Sequence, residues 1–345
     1  MDWQRLERLR ALFLSGDKTR DYWSSEADLD AYDATFARRI AWKWQAVLKE
    51  LGARGCRFPV EEVVDWGCGS GVAGRETLAS GLVEGDPRVR FWDRSAHARA
   101  FAARKAGEEG GTRAEPLSDL STLGLGDGAP RRLLLVSHVL NELDKNGLAS
   151  LLSLARASTY VLWVEPGSKT ESRRLSELHD SLRGAFDILG PCTHQLKCGM
   201  LADGNENHWC HAFAPAPTEA FTDPNWSEFS RRLGIDLRSL PFTYLCLARK
   251  GEVRDFSKVE THSRVIGEPR FSKGYARVLS CDGQRGVTEL ILQKRDEPRV
   301  LKKLQGGLKA CGGVPLYRWL DVEKDKIRGA RPWIVDEDEN GDDLS

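Results

Sequence analysis

The sequence predicts an α/β fold in which a Rossmann-like, mostly parallel sheet is preceded by an N-terminal helical region and followed by a small β-rich C-terminal part. Three observations carry this. Compact apolar runs at Glu62–Trp66, 89–92, Arg132–Ser137 and 160–164 read as strands. A helical stretch at Lys145–Ala157 separates the last two, and strand, helix, strand alternation gives a parallel sheet covered by helices. A glycine-rich turn, GCGSG, follows the first run.

Element by element, the pattern SEAD at Ser25 resembles a capping box, and Leu29, Tyr32, Phe36, Ile40, Trp44, Leu48 and Leu51 recur at helical spacing, which predicts a long amphipathic helix. The strand 62–66 runs into the glycine turn, then a helix over about 74–79, then the strand 89–92. After 160–164 the alternation breaks. Segment 191–211 is rich in Cys, His, Gly and Asn with little periodicity, and the apolar strand 242–248 follows it. Beyond this the helical signal fades, and 275–281 and 287–293 flank Asp282-Gly283 as a hairpin. The domains expected are 1–60, helical; 61–250, the sheet with the segment 191–211; 251–330, small, basic and β-rich; and an acidic tail, 331–345.

With 345 residues the chain is long enough for a large core and a smaller domain. Its formal net charge is zero, so nucleic-acid binding has no global electrostatic argument. Residues after Val335 hold Asp336, Glu337, Asp338, Glu339, Asp342 and Asp343 with no base, a solvated tail whose removal leaves a basic remainder. No apolar run approaches the roughly 20 residues that span a bilayer. Asp2 and Glu7 interrupt the first stretch, and no signal-type cleavage site follows. A cytoplasmic, reducing location is the expectation, so the eight cysteines need metal, packing or catalysis as their reason.

In VVDWGCGSGVAG, Asp65 ends a strand and Gly67, Gly69 and Gly71 follow at alternate positions. Glycines let the backbone turn sharply and approach a ligand, and the next helix presents unpaired N–H groups, so a nucleoside cofactor is the natural occupant. Gly69, Gly71 and Gly74 also satisfy the dinucleotide pattern G-x-G-x-x-G with Asp93 at a fitting distance, yet no hydride-transfer site accompanies them. Asp65 before the glycines and Asp93 in FWDRS resemble class I methyltransferases. That resemblance implies S-adenosylmethionine as cofactor, with Asp93 accepting from the ribose hydroxyls and Asp65 holding the loop and the methionine end. Asp93 could instead cap a helix beginning near Ser95.

SHVLNEL from Ser137, VEPGS from Val164, PCTHQLKC from Pro191, HWCHAF from His208, FTYLCLARK from Phe242 and YARVLSCDG from Tyr275 together resemble the methyltransferase-like ribosomal small subunit of mitochondria protein twenty-two family, including its bacterial relatives. The likeness runs from about Asp65 to Arg295. It implies small-subunit ribosome assembly, small-subunit ribosomal RNA or a pre-ribosomal particle as partner, and a 4Fe-4S cluster held by Cys192, Cys198, Cys210 and Cys281. Thiolates suit iron–sulfur clusters or zinc, and the gaps between these cysteines exceed those of common zinc sites, which favours the cluster. The interval GMLADGNENHW before Cys210 is longer than the family pattern. Cys56, Cys246 and Cys311 read as small buried hydrophobes, with Cys246 the substitute should Cys281 not be the fourth ligand. His194, His208 and His211 could substitute as ligands if the metal were zinc; otherwise they are expected to lie beside the cluster or to face RNA.

For chemistry, no Asn-Pro-Pro-Tyr-like turn follows the fourth strand, and the one Pro-Cys, at Cys192, belongs to the metal set. His138, Asn141 and Glu142 stand where an acceptor would arrive and are the weak candidates for a base; Asn141 and Glu142 could equally cap the next helix. Two classes stay open, an RNA methyltransferase and a noncatalytic RNA-binding assembly factor that keeps the fold. The basic excess from Arg249 to Arg277, continued by Lys294, Arg295, Arg299, Lys302, Lys303 and Lys309, marks the expected RNA face.

Overall fold

The computed structural model describes residues 1–15, 21–110, 113–126, 128–253, 257–307 and 314–333. Its centre is a sheet of strands β1 (Glu62–Trp66), β2 (Arg88–Trp92), β3 (Ala114–Pro116), β4 (Arg132–Ser137), β5 (Tyr160–Pro166), β6 (Phe186–Gly190) and β7 (Leu240–Arg249). Their order is β3-β2-β1-β4-β5-β7-β6, with Ala212–Ala214 also pairing with β7. Strands β1 to β5 pair in parallel, whereas β7 runs antiparallel to both β5 and β6. An order that reverses at β1, closed by a single antiparallel strand, is that of the class I methyltransferase sheet. It opens a crevice at the carboxyl ends of β1 and β4.

The central strands are apolar on both faces because helices cover both. Val63, Leu133, Leu135, Leu162 and Val164 pack into one core and Val64, Leu134, Val136, Val161 and Trp163 into another, the alternation a pleated strand imposes. On the first side lie α1 (Trp3–Ser15), α2 (Glu26–Tyr32), α3 (Arg38–Ala53), α4 (Val72–Ala79) and α5 (Ala96–Gly110); on the second, α6 (Lys145–Ala157) and α7 (Lys169–Leu182).

The single N-terminal helix expected from the periodicity is interrupted by a π-helical turn, Asp33–Ala37, between α2 and α3. Ser25 occupies the N-cap of α2 with extended backbone but caps nothing with its hydroxyl, which accepts from Arg5 instead. Asp28 ties the entry by accepting from the Ser24 N–H at 2.9 Å and hydroxyl at 2.6 Å, and by pairing with Arg5 and Arg8.

After β7 the chain builds a closed five-stranded barrel from β8 (Ser263–Ser272), β9 (Tyr275–Asp282), β10 (Gly286–Gln293), β11 (Leu316–Glu323) and β12 (Lys326–Pro332), in the order β8-β9-β10-β12-β11. The parallel β10–β12 pair and the helix Pro298–Gln305 between β10 and β11 make this an OB-type barrel. Ala276, Val278, Leu290, Leu292, Tyr317 and Ile327 fill it. The hairpin expected around Asp282-Gly283 is β9–β10, paired from Tyr275↔Gln293 to Asp282↔Gly286. No helix among the described residues is long and apolar enough to cross a membrane. Of the expected tail 331–345, residues 331 and 332 belong to β12, and residues 334–345, with Cys311, Lys309 and Arg254, lie outside the described residues.

Candidate functional site

Strand β1 ends in Asp65-Trp66, and the turn to α4 places Gly67, Gly69 and Gly71 at φ of +71°, +53° and +80°, backbone that side chains rarely tolerate. A Cβ on Gly67 would meet Val139 at 2.6 Å and one on Gly71 would meet Ala102 at 2.7 Å, so these two glycines serve packing. Gly69 differs, since its nearest neighbour would be Tyr32 at 3.8 Å. A Cβ there would only make ordinary van der Waals contact with the Tyr32 ring in the cavity wall. Asp65 is fully buried and accepts from the Gly74 N–H at 2.9 Å, clamping the turn onto α4; burial pushes its carboxyl up to about 7. Asp93, at the end of β2, accepts from the Gly69 N–H at 3.0 Å through one oxygen and from the Ser95 N–H at 2.9 Å through the other. The Ser95 contact is a local turn ahead of α5, which begins at Ala96, and it coexists with the contact to the glycine loop in one carboxylate, which burial raises above its usual range.

Around Gly67, Gly69 and Asp93 opens a cavity of about 570 Å³, a size suited to a nucleoside cofactor. Trp66 and Trp92 stack beside the loop, ring centroids 4.6 Å apart. The far wall comes from the N-terminal helices: Tyr32 precedes the π-helical turn and Phe36 lies within it, Trp23 meets Tyr32 edge-on at 4.8 Å, and Arg39 and Lys43 follow on α3. A π-helical turn in a cavity wall is a frequent mark of a binding site.

His138, Asn141 and Glu142 line the same cavity. His138 has φ of +58°, an unusual conformation for a residue with a side chain and one whose cost the surroundings must hold. They do so through Glu165. This buried carboxylate at the end of β5 accepts from the Val139 N–H at 3.1 Å, the Leu140 N–H at 3.2 Å and the Trp163 indole N–H at 2.7 Å. The His138 ring lies 3.2 Å from the Ser137 hydroxyl and 3.3 Å from the Lys43 ammonium, and burial keeps it well below its usual pKa, a neutral imidazole. Asn141 is exposed and Glu142 half-buried.

A second constellation forms where α7, β6, the segment 191–211 and the barrel meet. Arg173 of α7 gathers this segment by donating to the carbonyls of Met200, Asn205 and His208, each at 3.0 Å, so the long interval before Cys210 is wrapped around one guanidinium. Arg54 holds the start of it through the carbonyls of Leu189, Pro191 and Cys192 at 2.8–3.1 Å. Cys192, Cys198 and Cys210 line one small cavity with His179, and Cys281 enters from β9 with its sulfur 3.6 Å from Nε2 of His194. Burial first, then the charges of Cys198, Cys281 and Cys210, push the Cys192 thiol well up; burial likewise lifts Cys210 to about 11. These four thiols therefore share one neighbourhood. Cys246 does not: it is fully buried in β7 with Cys56 as its cysteine neighbour. Among the described residues no group of three or more His, Cys, Asp or Glu side chains is arranged to hold a metal ion.

Sequence reasoning missed His179, 3.7 Å from the Cys192 sulfur, because α7 is too polar to stand out. It also missed the aromatic and cationic wall. Its signal, the recurring Tyr32, Phe36 and Ile40, reads as an ordinary packing stripe, yet all three line the cavity.

Of the expected RNA face, Arg264 turns inward and shares the buried Glu50 with Arg54, each at 2.6 Å. Arg270 and Arg277 are on the surface and both pair with Glu289. Lys273, Lys294, Arg295, Arg299, Lys302 and Lys303 are exposed.

The family described as mitochondrial small ribosomal subunit Rsm22 matches the chain over residues 30–307. No curated protein sequence matches it. Among solved structures, magnesium protoporphyrin IX methyltransferase from Synechocystis PCC 6803 with bound SAM is 13% identical, covering 72% of this chain and 98% of that one at a TM-score of 0.36. A SAM-dependent methyltransferase from Thiobacillus denitrificans in complex with S-adenosyl-L-homocysteine is 14% identical, covering 60% and 91% at 0.33. An O-methyltransferase family protein from Burkholderia thailandensis is 16% identical, covering 73% and 71% at 0.37.

Proposed function

The chain belongs to the mitochondrial small ribosomal subunit Rsm22 family, and from that premise we propose that it binds S-adenosylmethionine in the cavity at Gly67, Gly69, Gly71 and Asp93 and acts on, or binds, small-subunit ribosomal RNA during ribosome assembly. The observation that carries the cofactor is the pairing of Gly69, which lines the cavity without a side chain, with Asp93, which accepts from its N–H. Asp93 would accept from the ribose hydroxyls, Trp66 and Trp92 would offer faces to the adenine, and Asp65 would hold the loop. Methyl transfer from a sulfonium is driven by the cofactor, so the chain's share is to align donor and acceptor and exclude water. Titration calorimetry tests this. Wild type should bind one adenosylmethionine per chain, and Gly69→Arg should abolish binding with its helical signal intact; no heat with wild type would remove the cofactor from the account.

The second reading, a noncatalytic assembly factor, is favoured by one observation. His138 is engaged by Ser137 and Lys43, an arrangement that holds a loop as readily as it accepts a proton.

Cys192, Cys198, Cys210 and Cys281 would hold a 4Fe-4S cluster, with zinc the alternative. The donor set is all sulfur, and thiols raised by burial first and by one another second are those a soft metal group would most relieve on deprotonation. A bound cluster would tie β9 to the segment 191–211.

For the RNA, the OB-type barrel supports the reading, because the second and third strands of such barrels and their flanking loops bind oligonucleotides. In this chain those strands are β9 and β10. Their half nearest Cys281 and Val287 packs on His194 and Gly199, while Arg277 with Lys273 and Arg270 lies on the surface. That surface half is the proposed RNA contact.

A further inference from the structure

Opposite the glycine loop, the wall of the cofactor cavity is cationic. Arg39 and Lys43 stand four residues apart on α3, which puts them one above the other on the same face, and Arg10 of α1 lines the cavity with them. Lys43 is only 8% exposed and its ammonium touches a ring nitrogen of His138. The Nε atoms of Arg10 and Arg39 are buried without a hydrogen-bond partner among the described residues. Nor do Arg39 and Lys43 make a salt bridge there: Asp236 and Glu165 act on them only at a distance. Burial, followed by the neighbouring arginine, lowers Lys43 to about 7, and burial with Arg10 lowers Arg39 to about 10.

A buried cation without a counter-ion is costly, and proteins keep such groups paired unless function requires otherwise. Lys43, buried, and Arg39, half-buried with its Nε enclosed, line one cavity without an acidic partner among the described residues, and together they mark the place of an anion. Asp93 lines the same cavity, so an acceptor for hydroxyls and donors for an oxyanion both face it.

We propose that Arg39 and Lys43, with Arg10 beside them, form an oxyanion subsite of this cavity that receives either the amino-acid carboxylate of the cofactor or a phosphate of the RNA acceptor. The carboxylate source rests on the cofactor reading above; the phosphate source does not.

The test uses the full chain, prepared anaerobically, as wild type, Lys43→Met and Arg39→Gln, with thermal melts to check folding. Calorimetry is run with S-adenosylhomocysteine, with methylthioadenosine, which lacks the amino-acid end, and with inorganic phosphate. If the anion is the carboxylate, each substitution weakens S-adenosylhomocysteine by about tenfold or more and leaves methylthioadenosine within about twofold, the loss of one charge-assisted contact. If it is a phosphate, S-adenosylhomocysteine is unaffected, wild type binds inorganic phosphate, and both variants lose that binding. Folded variants that bind all three probes as wild type does overturn the subsite. Wild type that ignores both nucleosides but binds phosphate through Lys43 and Arg39 would sink the cofactor reading and leave the subsite standing. Should a variant not fold, wild type alone decides: the subsite is overturned if S-adenosylhomocysteine binds no tighter than methylthioadenosine and phosphate does not bind.

Discussion

At the scale of single residues, the glycine loop separates into two kinds of glycine that the sequence pattern treats alike. Gly67 and Gly71 have their Cβ positions occupied by Val139 and Ala102. Replacing either with Ala should therefore destabilise the fold by about 1–3 kcal/mol, through overpacking added to backbone strain. Gly69→Ala, whose methyl would make only ordinary contact with Tyr32, should cost about 1 kcal/mol, from the positive φ. Urea unfolding of the three variants measures this, and equal losses would mean the crowding is not felt. Lys43 gives a pH-dependent prediction. In the folded chain it releases its proton near 7, in the unfolded chain near 10.5. Between these values the unfolded state holds the extra proton, so this residue makes stability rise with pH, and below 7 the full cost of the buried cation is felt. Lys43→Met without ligand should thus be more stable than wild type by about 2–4 kcal/mol at pH 6, the gap closing toward pH 10. Melting curves across that range check it; a gap that does not vary with pH would contradict it.

At the scale of elements, the parts legible in the sequence were those with one physical cause. Strands buried on both faces read as apolar runs, so β1 and β4 and the helix α6 were found at their observed ends. Helix α7 was not, because it buries polar side chains: Ser172, Ser176 and His179 face the interior, and Arg173 is occupied by the carbonyls of a segment 27 to 35 residues later. Nothing in local periodicity reports such partners. Strands β11 and β12 were missed for a related reason, as a barrel strand's inner residues are set by neighbours distant in sequence. Glu165 shows the same limit at the site. VEPGS was visible as a motif, but its role of holding the Val139 and Leu140 amides exists only once β4 and β5 are side by side. Glu165→Ala should leave three buried donors unpaired and cost about 3 kcal/mol in urea unfolding; a loss near zero would mean that water replaces the carboxylate. For the cysteine constellation, anaerobically prepared protein should contain about four iron and four sulfide per chain. Cys281→Ser should lose them and Cys246→Ser should keep them. A colourless protein with one zinc per chain would reassign the metal.

At the scale of the whole molecule, a neutral chain conceals an uneven arrangement of charge. The acidic residues after Val335 offset a basic remainder in the count of the whole chain, and the fold sets Lys273, Lys294, Arg295, Arg299, Lys302 and Lys303 on the surface of one OB-type barrel. Position within the barrel also decides which bases are available. Arg264 is committed to Glu50 in the interior, whereas Lys273, on the turn between β8 and β9, is exposed. Phosphate contacts release counterions, so any ribosomal association through this face should weaken steeply with salt. The central claim, that this chain works on the small ribosomal subunit, is tested most directly by cosedimentation with small-subunit precursor particles at moderate salt. Wild type should travel with the particles, and a variant carrying Arg270→Glu, Lys273→Glu and Arg277→Glu should remain at the top of the gradient. Equal cosedimentation of the two would remove this face from the account, and wild type that associates with no ribosomal particle would contradict the claim itself.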